Sequence, residues 1–214
     1  TLRRCVFLDA KLGQSSLNKM HAEAIKLSFE AITVDGDTSP NDSSLLVANG
    51  NKEKSVKYGS LAEKRLSKIV VEIFKGLAEL LIEDAEGATK KIKVKVRKAK
   101  SIEQAKSVAF TIAESPLVKT AMFGSDANWG RILSAIGRNK TIEDINKVMI
   151  KLNDQPLVKQ GFIDPNYSEK LASKAMKKKE IFIDVSLGLG AREFEVLTSD
   201  LSEDYVLINS DYRS

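Results

Sequence analysis

Thr1 opens the printed chain, and its side chain is the first candidate for covalent chemistry. A threonine hydroxyl is a weak nucleophile until a base removes its proton. The α-amino group of the same residue can act as that base, because its ordinary pKa of about 7.7–8.0 leaves a neutral fraction near pH 7. That amine is free only when the peptide bond before Thr1 has been cut. Thr1 is therefore a candidate nucleophile for acyl transfer.

Other conspicuous residues could bind a substrate, but each has a more ordinary structural explanation. Asp35 and Asp37 flank a glycine, where aspartates commonly form turns. Trp129 and Arg131 lie in a predicted loop-to-helix turn, which an aromatic side chain can anchor. Cys5 is expected to be a core residue. We favour the structural role for all five.

Composition excludes several kinds of site. With one histidine, His21, and one cysteine, the sequence predicts no metal site. A single cysteine forms no intrachain disulfide, which fits a reducing compartment. No apolar run approaches the roughly 18–20 residues that cross a bilayer, and the first residues lack the pattern of a secretory signal. We therefore expect neither a metal nor a membrane span.

Apolar periodicity and capping residues predict the elements that would hold these groups. In the first half they are a strand at 5–10, a helix from Ser15 or Ser16 to about Ser28, β-prone runs at 31–34 and 44–48, and a long helix that a Ser60–Glu63 capping box starts and Gly87 ends. In the second half they are a strand at 90–98, a helix capped by Ser101, a strand, loop and helix over 117–139, strands at 145–152 and 157–162, a helix at 167–178, strands at 180–190 and 192–198 that pair with each other, and a helix after Ser202.

Strands and helices intermix along the chain, with several hairpin-like pairs. This order predicts an α+β fold, in which mixed or antiparallel sheets are layered with helices, rather than a parallel α/β sheet. The strand at 90–98 alternates strictly, so that Ile92, Val94 and Val96 face the core and the lysines face outward.

Four blocks of the sequence resemble the ornithine acetyltransferase (glutamate N-acetyltransferase) family. They are ITVDGDTSPND at 32–42, EGATK at 86–90, KTAMFGSDANWGRILSAIG at 119–137 and DYVLINSDYRS at 204–214. The blocks follow the family's order and span nearly the whole chain. The resemblance implies a fold of the N-terminal-nucleophile type.

The resemblance also implies an activity and a partner. Members are made as a precursor that cleaves itself before a threonine, which leaves an α-chain and a β-chain, commonly as an α2β2 heterotetramer. This chain is similar to the β-chain. Members move an acetyl group from N2-acetylornithine to glutamate in arginine biosynthesis, without a cofactor, and some also accept acetyl-CoA as a co-substrate. We expect no nucleic-acid partner, and a cytoplasmic location or, in a eukaryote, the mitochondrial matrix.

By the same resemblance, Thr1 is the catalytic nucleophile and binds the substrate. Glu86 matches a substrate-binding glutamate, whose carboxylate suits an ammonium group. Asn209 and Ser214 match substrate contacts of the family's tail, through an amide and a hydroxyl. The oxyanion-hole donors and a substrate-binding lysine are expected in the α-chain. Residues 1–97 are thus expected to form the portion carrying the nucleophile.

Residues 98–214 are expected to form a second α+β portion, whose tail returns to the active site. Apolar Val206 and Ile208 are the expected anchors of that tail. The chain departs from the family at Ser214, where threonine is usual, and at Arg3 and Arg4, where the family is apolar. The Ser214 change keeps the hydroxyl, whereas two charges beside the nucleophile are less conservative.

Two alternatives remain open on the sequence. A related N-terminal-nucleophile amidase or aminopeptidase would share the Thr1 chemistry but pass the acyl group to water. A non-catalytic basic binding module would use the net charge of +5 and the seven basic residues of 90–100 to contact phosphates. The strict alternation of 90–98 explains those lysines equally well as an outward strand face.

The expectation of self-cleavage can be tested on the full precursor. A precursor carrying Thr1→Ala should remain one polypeptide, because the cut is expected to depend on that threonine. Electrophoresis of the purified protein measures this directly. Two separate chains from the variant would contradict the assignment of Thr1.

Overall fold

The structure, a computed structural model, describes residues 3–51 and 55–211. They form two compact units: unit 1 contains residues 3–31 with 37–51 and 55–80, and unit 2 contains 32–36 with 81–211. Residues 81–97 were expected in the portion that carries Thr1, but they belong to unit 2. The strand that begins at residue 91 pairs with two other strands of the unit 2 sheet. None of the described helices is both long and apolar enough to cross a membrane.

Unit 1 combines a two-stranded sheet with two helices. Strand β1 (Arg3–Leu8) pairs in parallel with β2 (Ser43–Ala48), and the helices are α1 (Gln14–Lys26) and α2 (Leu61–Glu83), whose last three residues belong to unit 2. The capping box of α2 is confirmed, since the Ser60 hydroxyl accepts from the Glu63 amide at 3.2 Å. Helix α1 instead begins after Gly13, with no side-chain cap.

One face of the β1–β2 sheet forms the core of unit 1. Val6 and Leu8 pack with residues of both helices, Phe74 among them. Arg4 lies on this same side of β1, and its guanidinium stacks 3.8 Å from the centre of the Phe29 ring. The prediction that Cys5 is a core residue is wrong, because strand alternation turns Cys5 to the exposed side.

Unit 2 is built on a six-stranded sheet with the order β6-β5-β4-β7-β3-β8. Its strands are β3 (Lys91–Ala99), β4 (Met149–Leu152), β5 (Gln155–Lys159), β6 (Phe162–Ile163), β7 (Glu180–Ser186) and β8 (Arg192–Ser199). Only β3 and β7 pair in parallel, and the other four pairs are antiparallel. This mixed sheet confirms the predicted α+β class.

Five helices belong to unit 2: α3 (Ile102–Ala113), α4 (Pro116–Phe123), α5 (Trp129–Gly137), α6 (Glu169–Met176) and α7 (Glu203–Asp211). Helices α3 to α6 pack on the sheet face that carries Ile92, Val94 and Val96, all of which are buried. Helix α7 contributes no buried residue.

The outward face of β3 is an ion-paired ladder rather than a free positive stripe. Lys91 forms ion pairs with Glu83 and Glu180. Lys93 pairs with Glu195, and Lys95 pairs with Glu193. Arg97 donates two hydrogen bonds to the Asp184 carboxylate. These acids neutralise much of the charge on which the binding-module alternative depends.

The predicted first strand of 117–139 and the predicted pairing of β7 with β8 are both wrong. Residues 117–123 form a helix instead of a strand, because Ser115 caps the segment and Pro116 occupies the first turn, where proline favours a helix. Strands β7 and β8 do not pair with each other, because β3 lies between them. Local apolar patterns carry no information about such a long-range insertion.

Residues 31–34 do not form the predicted strand. Phe29–Ala31 is a single 3-10 turn, and Ile32 makes one isolated parallel bridge to Leu197 of β8. The Thr33 amide donates to the Leu197 carbonyl at 3.0 Å. This short segment therefore lies along the outer edge of β8.

Candidate active site

The segment that carries Glu86 connects α2 to β3 and has no strand or helix of its own. It turns at Gly87, whose φ of +66° lies in the left-handed region that favours glycine. A Cβ atom at Gly87 would lie 2.5 Å from the Tyr205 amide nitrogen and 2.7 Å from the Ser202 hydroxyl. The absence of a side chain at Gly87 thus lets the segment approach the start of α7.

Ser202 forms hydrogen bonds with both the Gly87 segment and the first turn of α7. Its hydroxyl donates to the Gly87 carbonyl at 2.6 Å and accepts from the Tyr205 amide at 3.2 Å. The second contact confirms Ser202 as the predicted cap of α7. One hydroxyl therefore fixes the Glu86 segment and the first turn of α7 together.

Glu86 and Asn209, separated by 123 positions, meet at this junction. The Asn209 side-chain amide donates to Glu86 Oε2 at 3.0 Å and to the Tyr205 carbonyl of its own helix at 2.9 Å. Both side chains are accessible, which a substrate contact requires. Two of the four site residues named from the sequence therefore lie in direct contact.

The other two site residues named from the sequence, Thr1 and Ser214, lie outside the described residues, and so do residues 212 and 213. The expected anchors of the tail are not buried, because Val206 and Ile208 are 58% and 43% exposed. Polar contacts at its first turn, rather than apolar packing, therefore fix α7 in this chain.

Asp35 joins the same region from the segment 32–36 of unit 2. Its Oδ2 accepts from the Tyr205 hydroxyl at 2.9 Å, which ties this segment to α7. Gly36 adopts a φ of +91°, and its amide donates to the Thr33 hydroxyl at 3.1 Å. The predicted turn is present, and Asp35 also has a defined partner.

Lys119 is a buried charge that the sequence analysis did not single out. Only 3% of the residue is exposed, and its ammonium donates to the Thr198 hydroxyl at 2.9 Å and to the Ser199 carbonyl. Burial lowers the pKa of Lys119 to about 8, although Asp200, Asp35 and Glu114 attract its charge. The available signal in the sequence was one lysine in helix α4, whose other residues are apolar except for Thr120.

Trp129 and Arg131 have the structural roles expected of them. Trp129 packs against the core of unit 2. The Arg131 guanidinium donates to the Leu117 carbonyl at 2.9 Å, which joins α5 to α4.

A groove of about 580 Å³ lies in unit 1, and neither Glu86 nor Asn209 lines it. Its walls come from α1 and α2 and carry both signs of charge, for example at Lys19, Glu23, Lys68 and Glu72. In the part of the chain that the structure describes, no three His, Cys, Asp or Glu side chains are grouped as a metal site would require.

The fold has a close match among solved structures. The crystal structure of the arginine biosynthesis bifunctional protein argJ from Bacillus halodurans superposes with a TM-score of 0.93 at 33% identity, over 99% of this chain and 100% of that one. The mixed sheet with its helices thus defines an α+β protein of the N-terminal-nucleophile class.

The profile of the ArgJ family matches residues 1–214, and the chain belongs to that family. The protein named arginine biosynthesis bifunctional protein ArgJ from Chlorobaculum tepidum is 44% identical over 206 residues, which is 96% of this chain and 50% of that protein. The one from Methylococcus capsulatus is 43% identical over 216 residues, or 100% of this chain and 53% of that protein. The chain spans about half the length of these relatives.

The close approach at Gly87 gives a testable difference between two glycines. Gly87→Ala should lower the free energy of unfolding by about 2 kcal/mol or more, from the left-handed backbone and the collision with α7. Gly76→Ala is the control, because its Cβ would meet nothing within 4 Å in the middle of α2. It should raise stability by about 0.5–1 kcal/mol. Urea unfolding measures both, and equal effects would contradict the packing argument.

Lys119 should make stability depend on pH in the alkaline range. Its pKa rises from about 8 when folded to the ordinary 10.5 when unfolded. Below pH 8 the buried charge destabilises the folded state, and this penalty disappears as the pH rises to 10.5. The free energy of unfolding of the wild type, relative to that of Lys119→Met, should therefore increase by about 1.4 kcal/mol per pH unit between pH 8 and 10.5. Urea unfolding of both proteins at pH 7.5, 9 and 10 tests this, and a constant or falling difference would refute it.

Proposed function

We propose that this chain is the Thr1-bearing β-chain of an enzyme that transfers an acetyl group from N2-acetylornithine to glutamate. The Thr1 oxygen attacks the acetyl carbonyl carbon, and the hydroxyl proton passes to a base, for which the Thr1 amine is the candidate. The acetyl C–N bond breaks, and ornithine leaves with a proton on its amine. The glutamate amine then attacks acetyl-Thr1, which forms N-acetylglutamate and restores the hydroxyl.

The observation that carries this proposal is the contact between Glu86 and Asn209. The Asn209 amide donates its two hydrogens to Glu86 and to Tyr205, which leaves the Glu86 carboxylate and the Asn209 side-chain carbonyl as acceptors for a substrate ammonium group. Both proposed substrates offer such a group, because N2-acetylornithine has a side-chain ammonium and glutamate has an α-ammonium. Both proposed substrates contain an amino-acid carboxylate, and membership in the ArgJ family supports a role in arginine biosynthesis.

The partner in this proposal is an α-chain cut from the same precursor, in an α2β2 assembly. Its existence is supported by the length of the relatives, of which this chain spans about half. In unit 1, the outer face of the β1–β2 sheet exposes Phe7, Leu45 and Val47, although parallel strands are ordinarily covered on both faces. In unit 2, Leu207 of α7 is 61% exposed. We assign these apolar surfaces to the contact with the α-chain.

The same proposal includes no cofactor, and acetyl-CoA as a second acetyl donor. Thioester and amide donors would both deliver their acetyl group to the Thr1 hydroxyl. We place the enzyme in the cytoplasm or, in a eukaryote, in the mitochondrial matrix.

Steady-state kinetics on the enzyme assembled from the full precursor tests the proposal. Glu86→Gln and Asn209→Ala should each lower kcat/KM by about tenfold or more, because each removes a hydrogen bond to a charged substrate group. Ser214→Ala should have a smaller effect, and Ser214→Thr should be nearly neutral because the hydroxyl is kept. All four variants should still self-cleave.

Three results would decide against parts of the proposal. Release of free acetate without N-acetylglutamate would favour the amidase alternative. Unchanged kcat and KM after deletion of 210–214 would remove Ser214 from the site. Wild-type kinetics from Glu86→Gln would remove Glu86.

A further inference from the structure

Asp200 is a buried carboxylate that no substrate could reach directly. It follows β8 and is 3% exposed. Its Oδ1 accepts from the Thr89 amide at 2.8 Å and the Lys90 amide at 2.9 Å, and its Oδ2 accepts from the Thr89 hydroxyl. Three donors thus converge on one carboxylate, which can accept about four hydrogen bonds.

All three donors belong to the segment that carries Glu86. This segment lacks regular secondary structure, so no strand pairing fixes Thr89. Backbone amides without a helix or strand partner need another acceptor, and Asp200 supplies one to Thr89 and to Lys90. Because a hydrogen bond to a charged group is stronger than one between neutral groups, the carboxylate holds this end of the segment firmly.

The residues around Asp200 are themselves held on both sides. The Lys119 ammonium donates to the Ser199 carbonyl, and the Leu201 amide donates to the Lys119 carbonyl at 3.4 Å. Two residues after Asp200, Ser202 holds Gly87 and the first turn of α7. Residues 199–202 therefore form one support for the Glu86 segment and for the helix that carries Asn209.

We infer that Asp200 is a positioning residue for substrate binding, which acts through Thr89 and Lys90 to hold Glu86 opposite Asn209. The inference rests on the proposed function, because it takes Glu86 and Asn209 as the substrate contacts. Asp200 itself touches no substrate. Its contribution is to keep the Glu86 carboxylate in one place, so that binding a substrate ammonium does not first require ordering the segment.

A double-mutant cycle on the assembled enzyme tests the inference. Asp200→Asn keeps the size of the side chain but replaces one acceptor oxygen with a donor. It should lower kcat/KM for acetyl transfer about tenfold, mainly through KM. In the Glu86→Gln background the same change should have less than about a twofold effect, because the group that Asp200 positions is already lost. Equal effects in both backgrounds would overturn the inference.

Thr89→Val is a milder second variant, which removes one of the three donors and keeps the side-chain shape. It should raise KM in the same direction as Asp200→Asn but by less. Asp184→Asn is the control, since the Asp184 carboxylate also accepts more than one hydrogen bond, two of them from Arg97, but lies on the charged face of β7. A rise in KM from Asp184→Asn as large as that from Asp200→Asn would mean that general destabilisation explains both.

Amide hydrogen exchange separates failure of this inference from failure of the proposed function. In Asp200→Asn, the amides of Thr89 and Lys90 should exchange at least about tenfold faster, while those in the middle of β3 should not change. This result is expected even if the enzyme proves not to transfer acetyl groups. Unchanged exchange at Thr89 and Lys90 would overturn the positioning role whatever the activity.

Discussion

Burial of the Lys119 ammonium imposes the constraint on which this end of unit 2 depends. A charge removed from water must be surrounded by acceptors, and the end of β8 supplies them from Thr198 and Ser199. This fixes the chain just before Asp200, whose carboxylate in turn orders the segment that carries Glu86. A buried charge in the core and an exposed carboxylate at the surface are thus linked through polar contacts and the short stretches of backbone between them.

Helix α7 illustrates how polar contacts can replace apolar packing. Most helices are held to a protein by an apolar stripe, but α7 has no buried residue in this chain. Ser202 caps its first turn, Tyr205 bonds to Asp35, and Asn209 bonds to Glu86. These contacts lie along one side of the helix and set its direction. Val206 and Leu207 remain exposed, which leaves an apolar surface beside the candidate site.

Local patterns in the sequence predicted the elements that local chemistry determines. The alternation of β3, the Ser60–Glu63 capping box and the Ser202 cap are all present, because each depends on residues within a few positions. The helix at 116–123 was missed because its β-prone residues outweighed the start signal of Ser115 and Pro116. The position of β3 between β7 and β8 depends on pairing across about a hundred residues, which periodicity does not encode.

The candidate site was only partly predictable for the same reason. Family resemblance named Glu86 and Asn209 one at a time, whereas their hydrogen bond follows from the fold. Asp200 resembles any acidic residue after a strand, and two of its partners are backbone amides, which are common to almost every residue.

The short segment at Ile32 and Thr33 also affects how much of the sheet edge is exposed. By bonding to Leu197 it occupies part of the open edge of β8, while the opposite edge of the sheet is β6, a strand of two residues. Exposed strand edges recruit other chains into aggregates. The loop that brings Asp35 to Tyr205 therefore also protects the sheet against self-association, and loosening it would endanger solubility as well as the site.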